Sequence, residues 1–408
     1  MKLLVITSRI PYPLEKGDKL RAYHQLRELS RSHDITLVAL TDEPPNPQAK
    51  KELLKYCKHV HFLGLNKLEL FIQLIKAIGN SLPFQVAYFN NRKAHLFLQQ
   101  LTASQQFEGA YFQLIRTAPY ARSVNVPVKI LDYMDTFSKG MSRRLSAAKF
   151  WQKPIIRWEQ QKLTNYENLV FNQFHKHTII SEQDRDLLPV NKKSSVTVVR
   201  NGVDHEYFSP DNTKKQYDIL FNGNMNYPPN IESAVYLVHK IMPVVWKKNP
   251  SCRVLISGAD PAEEVKALAS DLVHVTGWVD ADPAEEVKAL ASDLVHVTGW
   301  VDDIRTSFRQ SKILVAPMQS SIGLQNKLLE AMSCGLPCIT TPLSNNALGA
   351  IPNQEIMVCS TPDEFAQSID LLLTNNDQYQ LLQNNGLKLV HHSFGWEGAT
   401  APLLELLI

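Results

Sequence analysis

Residues 312–341 read KILVAPMQSSIGLQNKLLEAMSCGLPCITT. Lys312–Ala316 is a short apolar run closed by a proline, the pattern of a buried strand. A polar loop with one glycine follows, and Leu328–Cys334 is predicted as a short helix. Gly335 and Pro337 stop that helix, and Pro337–Thr341 reads as a strand again. Strand, loop, helix and strand in this order predict a βαβ unit with parallel strands.

The same rhythm extends upstream. Tyr217–Phe221 and Arg253–Ser257 read as strands, with a helix over Asn230–Trp246 entered through Pro228-Pro229. A separate series precedes it. Lys2–Thr7, Asp34–Leu40, His59–Leu63, Gly109–Leu114, Val128–Tyr133 and Val196–Val199 read as strands. Arg21–Arg31 reads as a helix, with Leu20, Tyr23, Leu26 and Leu29 on one face. The predicted fold class is therefore α/β, with two Rossmann-like doubly wound domains facing a cleft. They meet near Arg200-Asn201-Gly202-Val203-Asp204, where Asn-Gly favours a tight turn. The expected division is 1–198, 199–384 and a C-terminal segment 385–408 that crosses back to the first domain.

Composition narrows the function. The chain has 408 residues, 44% hydrophobic and 20% charged, and a net charge of +3. That is globular, fits two domains, and gives no bulk charge that asks for nucleic acid. The five cysteines are scattered and form no CxxC pair, which points to a reducing, cytoplasmic setting without a disulfide framework. The apolar run at the N-terminus is too short for a signal peptide, and no stretch is long enough for a spanning helix.

Residues 259–280 read ADPAEEVKALASDLVHVTGWVD, and residues 281–302 repeat them letter for letter. Two perfect copies are too few and too alike for a solenoid and indicate a tandem duplication. A fold of this kind has one slot for the helix and strand they encode (Pro261–Ala269 and Val273–Val279 in the first copy). One copy is expected in that slot and the other extruded at the surface, since loop insertions cost little closure entropy.

Three turns could carry chemistry. After the first strand, Arg9-Ile10-Pro11-Tyr12-Pro13 leads to Lys16-Gly17-Asp18-Lys19. Gly17 permits close backbone approach, Asp18 can cap the next helix, and a helix start offers N–H groups to phosphate. Gly223-Asn224-Met225 holds the equivalent place in the second half. The third turn, Gly323 to Glu330, adds Asn326, Lys327 as a cation for phosphate, and Glu330 as an acceptor for ribose hydroxyls. Glu330 stands among apolar neighbours, where an unpaired carboxylate is costly. Neither half has GxGxxG, which argues against a dinucleotide oxidoreductase, and no histidine or cysteine spacing suits a metal.

Two further segments could meet a membrane. Residues 139–162 hold seven bases and one acid, with Phe150, Trp151, Ile155, Ile156 and Trp158 interleaved. That composition suits anionic lipid, an acceptor diphosphate or a solvated linker face. Leu68–Ile78 is an apolar stripe that reads as a membrane-facing helix or, as is commoner for such stripes, as core.

Taken together the turns resemble a GT-B glycosyltransferase of family 4, the group 1 glycosyl transferases. The subgroup they resemble is the sugar transferases associated with exosortase and exopolysaccharide loci. The resemblance rests on the Arg9–Pro13 and Lys16–Arg21 turns, Leu131-Asp132-Tyr133-Met134-Asp135, Asn201-Gly202-Val203-Asp204 with Tyr207-Phe208-Ser209-Pro210, Gly223-Asn224-Met225 with Pro229-Asn230, and Gln325–Met332. It implies a retaining transferase without a cofactor or metal. A UDP- or GDP-sugar would sit on the C-terminal domain and a glycan or lipid-linked acceptor on the N-terminal one. Peripheral contact with an anionic inner-membrane surface, and a place in bacterial surface or exopolysaccharide synthesis, go with that expectation. The expected donor-binding residues are Gly17, Asp18, Arg200, Gly223, Asn224, Gly323, Asn326, Lys327 and Glu330; Arg116 and Asp135, at the ends of first-domain strands facing the cleft, are read as orienting the acceptor. The family pattern has a glutamate eight residues before Glu330, where this chain has Ile322. That departure favours, as the alternative, a catalytically impaired nucleotide-sugar-binding protein of the same fold. An epimerase of this fold would need acid/base carboxylates that the sequence does not reveal.

Overall fold

A computed structural model describes residues 1–14, 16–258, 261–276, 303–320 and 323–407, without the side chains of residues 143, 146 and 147. The chain divides into two compact units. The first comprises Met1–Asn201 with Trp396–Ile408, and the second Gly202–Gly395. The expected first boundary, after residue 198, falls three residues earlier than this division. Residue 385, the expected start of the returning segment, lies inside the helix Asn376–Ser393 of the second unit.

In the first unit the strands are β1 (Lys2–Thr7), β2 (Asp34–Thr41), β3 (His59–Gly64), β4 (Gly109–Gln113), β5 (Val128–Asp132), β6 (Lys176–Ile179) and β7 (Val196–Val198). They form one sheet in the order β3-β2-β1-β4-β5-β6-β7, and every pairing is parallel. Leu3, Leu4, Val5 and Ile6 are all buried, as a strand covered by helices on both faces requires. The strand order reverses between β1 and β4. Ligands of open α/β sheets bind beyond the carboxyl ends of the strands at such a point.

The helix after β1 spans Gly17–Leu29, four residues longer at its start than expected. Its N-cap residue is Lys16 and makes no side-chain cap bond. Asp18 therefore does not cap this helix as expected. It lies within the first turn and pairs with Arg9 at 2.6 Å. The helix Trp396–Glu405 completes this unit. Trp396 stacks on His24 with ring centroids 4.7 Å apart, and Leu403 joins the core around Leu3 and Val5.

The second unit contains β8 (Tyr217–Asn222), β9 (Val254–Ser257), β10 (Val273–Thr276), β11 (Ser311–Ala316), β12 (Cys338–Thr340) and β13 (Met357–Val358). Among the described residues the order is β10-β9-β8-β11-β12-β13, again parallel throughout. Here the switch point lies between β8 and β11. The helix expected over Asn230–Trp246 is divided into Pro228–Tyr236, a π turn at Leu237–Ile241, and Met242–Lys248. Pro243 accounts for the division, because it cannot donate to the helical ladder.

The edge strand β10 belongs to the first copy of the repeat, and the helix before it is only Glu263–Lys266. The second copy, and with it the expected extrusion, lies outside the described residues. Among the described residues no helix is long and apolar enough to cross a membrane.

Candidate functional site

At the switch point of the second unit, β8 ends at Asn222 and the chain turns through Gly223 with φ of 150°. Gly258, after β9, has φ of 152°. A Cβ there would fall 1.7 Å from the Gly223 carbonyl oxygen, so the two strand ends meet by backbone contact that no side chain could share. After β11 the chain passes Met318 and enters the helix Asn326–Ser333, which places Lys327 in its first turn.

These segments converge. A Cβ on Gly223 would lie 2.7 Å from Asn230 Nδ2 and 3.1 Å from Lys327 Nζ. Lys327 Nζ donates to Asn230 Oδ1 at 2.9 Å and lies 4.4 Å from the Phe221 ring centroid. Asn230 Nδ2 in turn donates to the Asn224 carbonyl at 2.8 Å. The glycine therefore makes room for an amine and an amide directly beyond the sheet.

Burial governs the ionisation of this cluster. Desolvation drives the Lys327 amine down to about 7, opposed by the Glu330 charge. Desolvation likewise pushes the half-buried Glu330 carboxyl up to about 7, opposed by Lys327. The two groups occupy positions i and i+3 on one helix face. The buried Asn222 Oδ1 has no hydrogen-bond partner among the described residues. Helix N–H groups, a buried amine and open acceptors form a place where a phosphate and a hydroxylated ring could both be held.

Of the expected donor residues, Gly223, Asn224, Lys327 and Glu330 gather at this point, with Gly323 and Asn326 flanking the same helix start. Gly17, Asp18 and Arg200 belong to the first unit. Arg200 there donates to both oxygens of Glu182 at 3.2 Å. Phe221 and Asn230 bound the second turn's motif in the sequence without a role assigned to either, and Met318 is not singled out there. Asn230 had a usable signal, since an amide stands at the helix start directly behind two prolines.

The first unit has its own cluster beyond β1, β4 and β5. Arg116 lies between the rings of Phe89 and Phe137, 5.3 and 5.1 Å from their centroids, and donates to Gln85 Oε1 at 3.2 Å. Its Nε has no partner among the described residues. Burial and then the Arg9 charge lower its pKa, opposed by Asp18 and Asp135. Asp135 is exposed, just past β5. Beneath them Arg21 and Asp132, both fully buried, pair at 2.8 Å. Tyr111 and Thr178 hydroxyls also donate to Asp132, at 2.7 and 2.9 Å. Burial opposes its ionisation, yet the Arg21 charge and these bonds hold the carboxyl below the usual carboxylate range. Arg21 also donates to Asn201 Oδ1 at 2.9 Å. The Arg21–Asp132 pair is thus structural in this unit.

Residues 280–375 match the family model described as Glycosyl transferases group 1. A curated relative is an uncharacterized 44.6 kDa protein in the cps region of Klebsiella pneumoniae, 20% identical over 380 residues and covering 90% of each chain. Among solved structures, sucrose-phosphate synthase from Thermosynechococcus elongatus is similar with a TM-score of 0.67 and 15% identity, covering 100% of this chain and 98% of its own. Anabaena HepE, in complex with UDP and glucose, has a TM-score of 0.66 and 12% identity, covering 100% and 99%. These likenesses show the fold, the GT-B architecture of two Rossmann-like domains.

Proposed function

We propose that the chain is a retaining glycosyltransferase. It moves a sugar from a UDP- or GDP-sugar to a glycan or lipid-linked acceptor in bacterial surface or exopolysaccharide synthesis. The observation that carries this reading is the Lys327 amine held at 2.9 Å from Asn230 beside Gly223, at the switch point of the second sheet. The group 1 match covers Lys327 and Glu330. The UDP and glucose bound to HepE and the cps-region setting of the relative support the donor class and the pathway.

In this reading Lys327 and the amides of the Gly323–Asn326 turn face the donor diphosphate, and Glu330 accepts from ribose hydroxyls. The bond from the anomeric carbon to the diphosphate oxygen breaks as the bond to the acceptor oxygen forms. The leaving phosphate takes the acceptor's proton on the same face. Charge grows on that phosphate, and a preorganised amine stabilises it most where water is excluded. Arg116 and Asp135 orient the acceptor on the first unit.

The second reading, a nucleotide-sugar-binding protein without turnover, is favoured by one observation, Ile322 in place of the family's first glutamate. A thermal-shift screen of nucleotide sugars followed by assay of nucleotide release decides between the two. Stabilisation by a UDP- or GDP-sugar with nucleotide release supports the transferase. Stabilisation without release supports the binder, and no stabilisation by any nucleotide sugar overturns both.

A further inference from the structure

Beside the amino ends of β5 and β6 the first unit holds two cavities, of about 430 and 420 Å³. Asn90 and Arg122 line both, so the cavities meet there. Lys129, the second residue of β5, lines the larger. Arg92, at the start of the helix Arg92–Ser104, lines the smaller. Arg116 and Asp135, beyond the carboxyl ends of β4 and β5, line neither. The cavities are therefore separate from the clusters described above, and nothing inferred from them rests on the transferase reading.

The junction is held in a fixed hydrogen-bonding state. His95 Nε2 donates to Asn90 Oδ1 at 2.8 Å, and Ser123 Oγ donates to His95 Nδ1 at 2.6 Å. An amide oxygen only accepts, so the ring proton stands on Nε2. Burial, and then the Arg122 charge, lower the His95 pKa to about 4 and keep the ring neutral. The ring also packs on Tyr120, with centroids 4.5 Å apart. Asn90 spends its oxygen on His95, and what it has left to offer is its amide N–H groups.

The charged groups around it are all donors. No carboxylate lines either cavity, and Arg92, Arg122 and Lys129 have no acidic partner among the described residues. Lys129 gives one N–H to the Ala121 carbonyl at 2.7 Å and keeps two. The Glu69 carboxylate, near Arg92, is turned to other work and accepts from Asn91 Nδ2 and the Arg92 backbone N–H. Three cations without an acid favour a ligand with more than one negative charge. Guanidinium forks and amide N–H groups match phosphate oxygens. Leu82, Pro119 and Tyr166 give the larger cavity an apolar wall, and its volume suits a small molecule. We propose that this junction binds the dianionic phosphate of a small soluble phosphate monoester, whose organic part lies in the larger cavity against that wall.

Calorimetric titration of the full chain with phenyl phosphate tests it, at about pH 8, where a monoester carries both charges. Saturable binding is expected, weakening with salt. It is expected to be roughly tenfold or more tighter than binding of diethyl phosphate, which has one charge. Arg122 is exposed, and Arg122→Gln is expected to weaken binding by roughly tenfold or more with the melting temperature unchanged. Asn90→Asp keeps an acceptor for His95 but sets a carboxylate where the N–H groups stood, and is expected to abolish binding. Lys327→Met, in the other unit, is expected to bind phenyl phosphate as wild type does. No saturable binding overturns the proposal, as does Arg122→Gln or Asn90→Asp binding equal to wild type. Loss of binding in Lys327→Met alone would overturn it by assigning the phosphate to the second unit. Diethyl phosphate or inorganic phosphate bound as tightly as phenyl phosphate would overturn it as well, the first by removing the need for two charges and the second by removing the organic part.

Discussion

The Lys327 amine donates to Asn230 Oδ1 at 2.9 Å, and the other end of that amide donates to the Asn224 carbonyl at 2.8 Å. Asn230 thus fixes the amine to the turn that follows β8. An amine aimed in advance loses little on meeting an anion.

Replacing Lys327 by methionine removes the charge and keeps the volume. Nucleotide release is expected to fall by about 10²–10³. The melting temperature without ligand is expected to hold or rise, because a buried amine is costly. A variant that unfolds, or that keeps full turnover, would show that the lysine serves the fold alone.

Donor affinity is expected to depend on pH. With its amine at about 7, the unliganded protein loses this cation as pH rises through neutrality. An anionic diphosphate favours the protonated form, so binding above pH 7 takes up a proton. Affinity for a nucleotide sugar, whose diphosphate does not itself titrate there, is expected to fall by up to about tenfold per pH unit above this point. Calorimetry in buffers of different ionisation enthalpy reads the proton uptake. Flat affinity from pH 6 to roughly 9 would remove Lys327 from the diphosphate.

Gly223→Ala is expected to cost roughly 1–3 kcal/mol and to abolish donor-induced stabilisation. At φ of 150° the new methyl would sit 2.7 Å from Asn230 Nδ2 and 3.1 Å from Lys327 Nζ. Gly258→Ala meets the Gly223 carbonyl at 1.7 Å, a backbone atom that cannot swing aside, and is expected to be the worse of the two. Denaturant midpoints rank them.

Glu167 is fully buried, accepts from the Ser138 N–H at 3.1 Å through one oxygen, and has no partner for the other among the described residues. Desolvation raises its carboxyl from 4.5 to about 7. Its folded pKa lies above its unfolded one, so its contribution is complete at low pH and is lost as pH rises through that window. Glu167→Gln is expected to match wild type in acid and to exceed it by roughly 2–3 kcal/mol at pH 8. Urea midpoints at both pH values check the difference.

Deleting residues 281–302 joins Asp280 to Asp303. The residues before that joint, Gly277-Trp278-Val279-Asp280, repeat those that precede Asp303 in the full chain. Since β10 comes from the first copy, the deletion is expected to leave the melting temperature within about 2–4 °C. A large loss would show that the fold depends on the second copy.

Much of the fold was legible because buried parallel strands are short apolar runs. Lys2–Thr7 was read to the residue. The helix expected over Asn230–Trp246 was read as unbroken because apolar periodicity does not register the missing N–H of Pro243. The stripe Leu68–Ile78 left two readings open, core or membrane-facing, for a related reason. A row of apolar residues on a helix does not say whether protein or something outside the protein covers it.

The residue order by itself determined the alternation of strand and helix, the two parallel units and the three polar turns. Local propensity and periodicity are enough for that. Only the tertiary structure decided which turns share a site. Gly223 and Lys327 are about a quarter of the chain apart in sequence, and they meet because β8 and β11 pair side by side. That pairing also set the charge of Lys327, because ionisation answers to the water that packing removes, which no local pattern records.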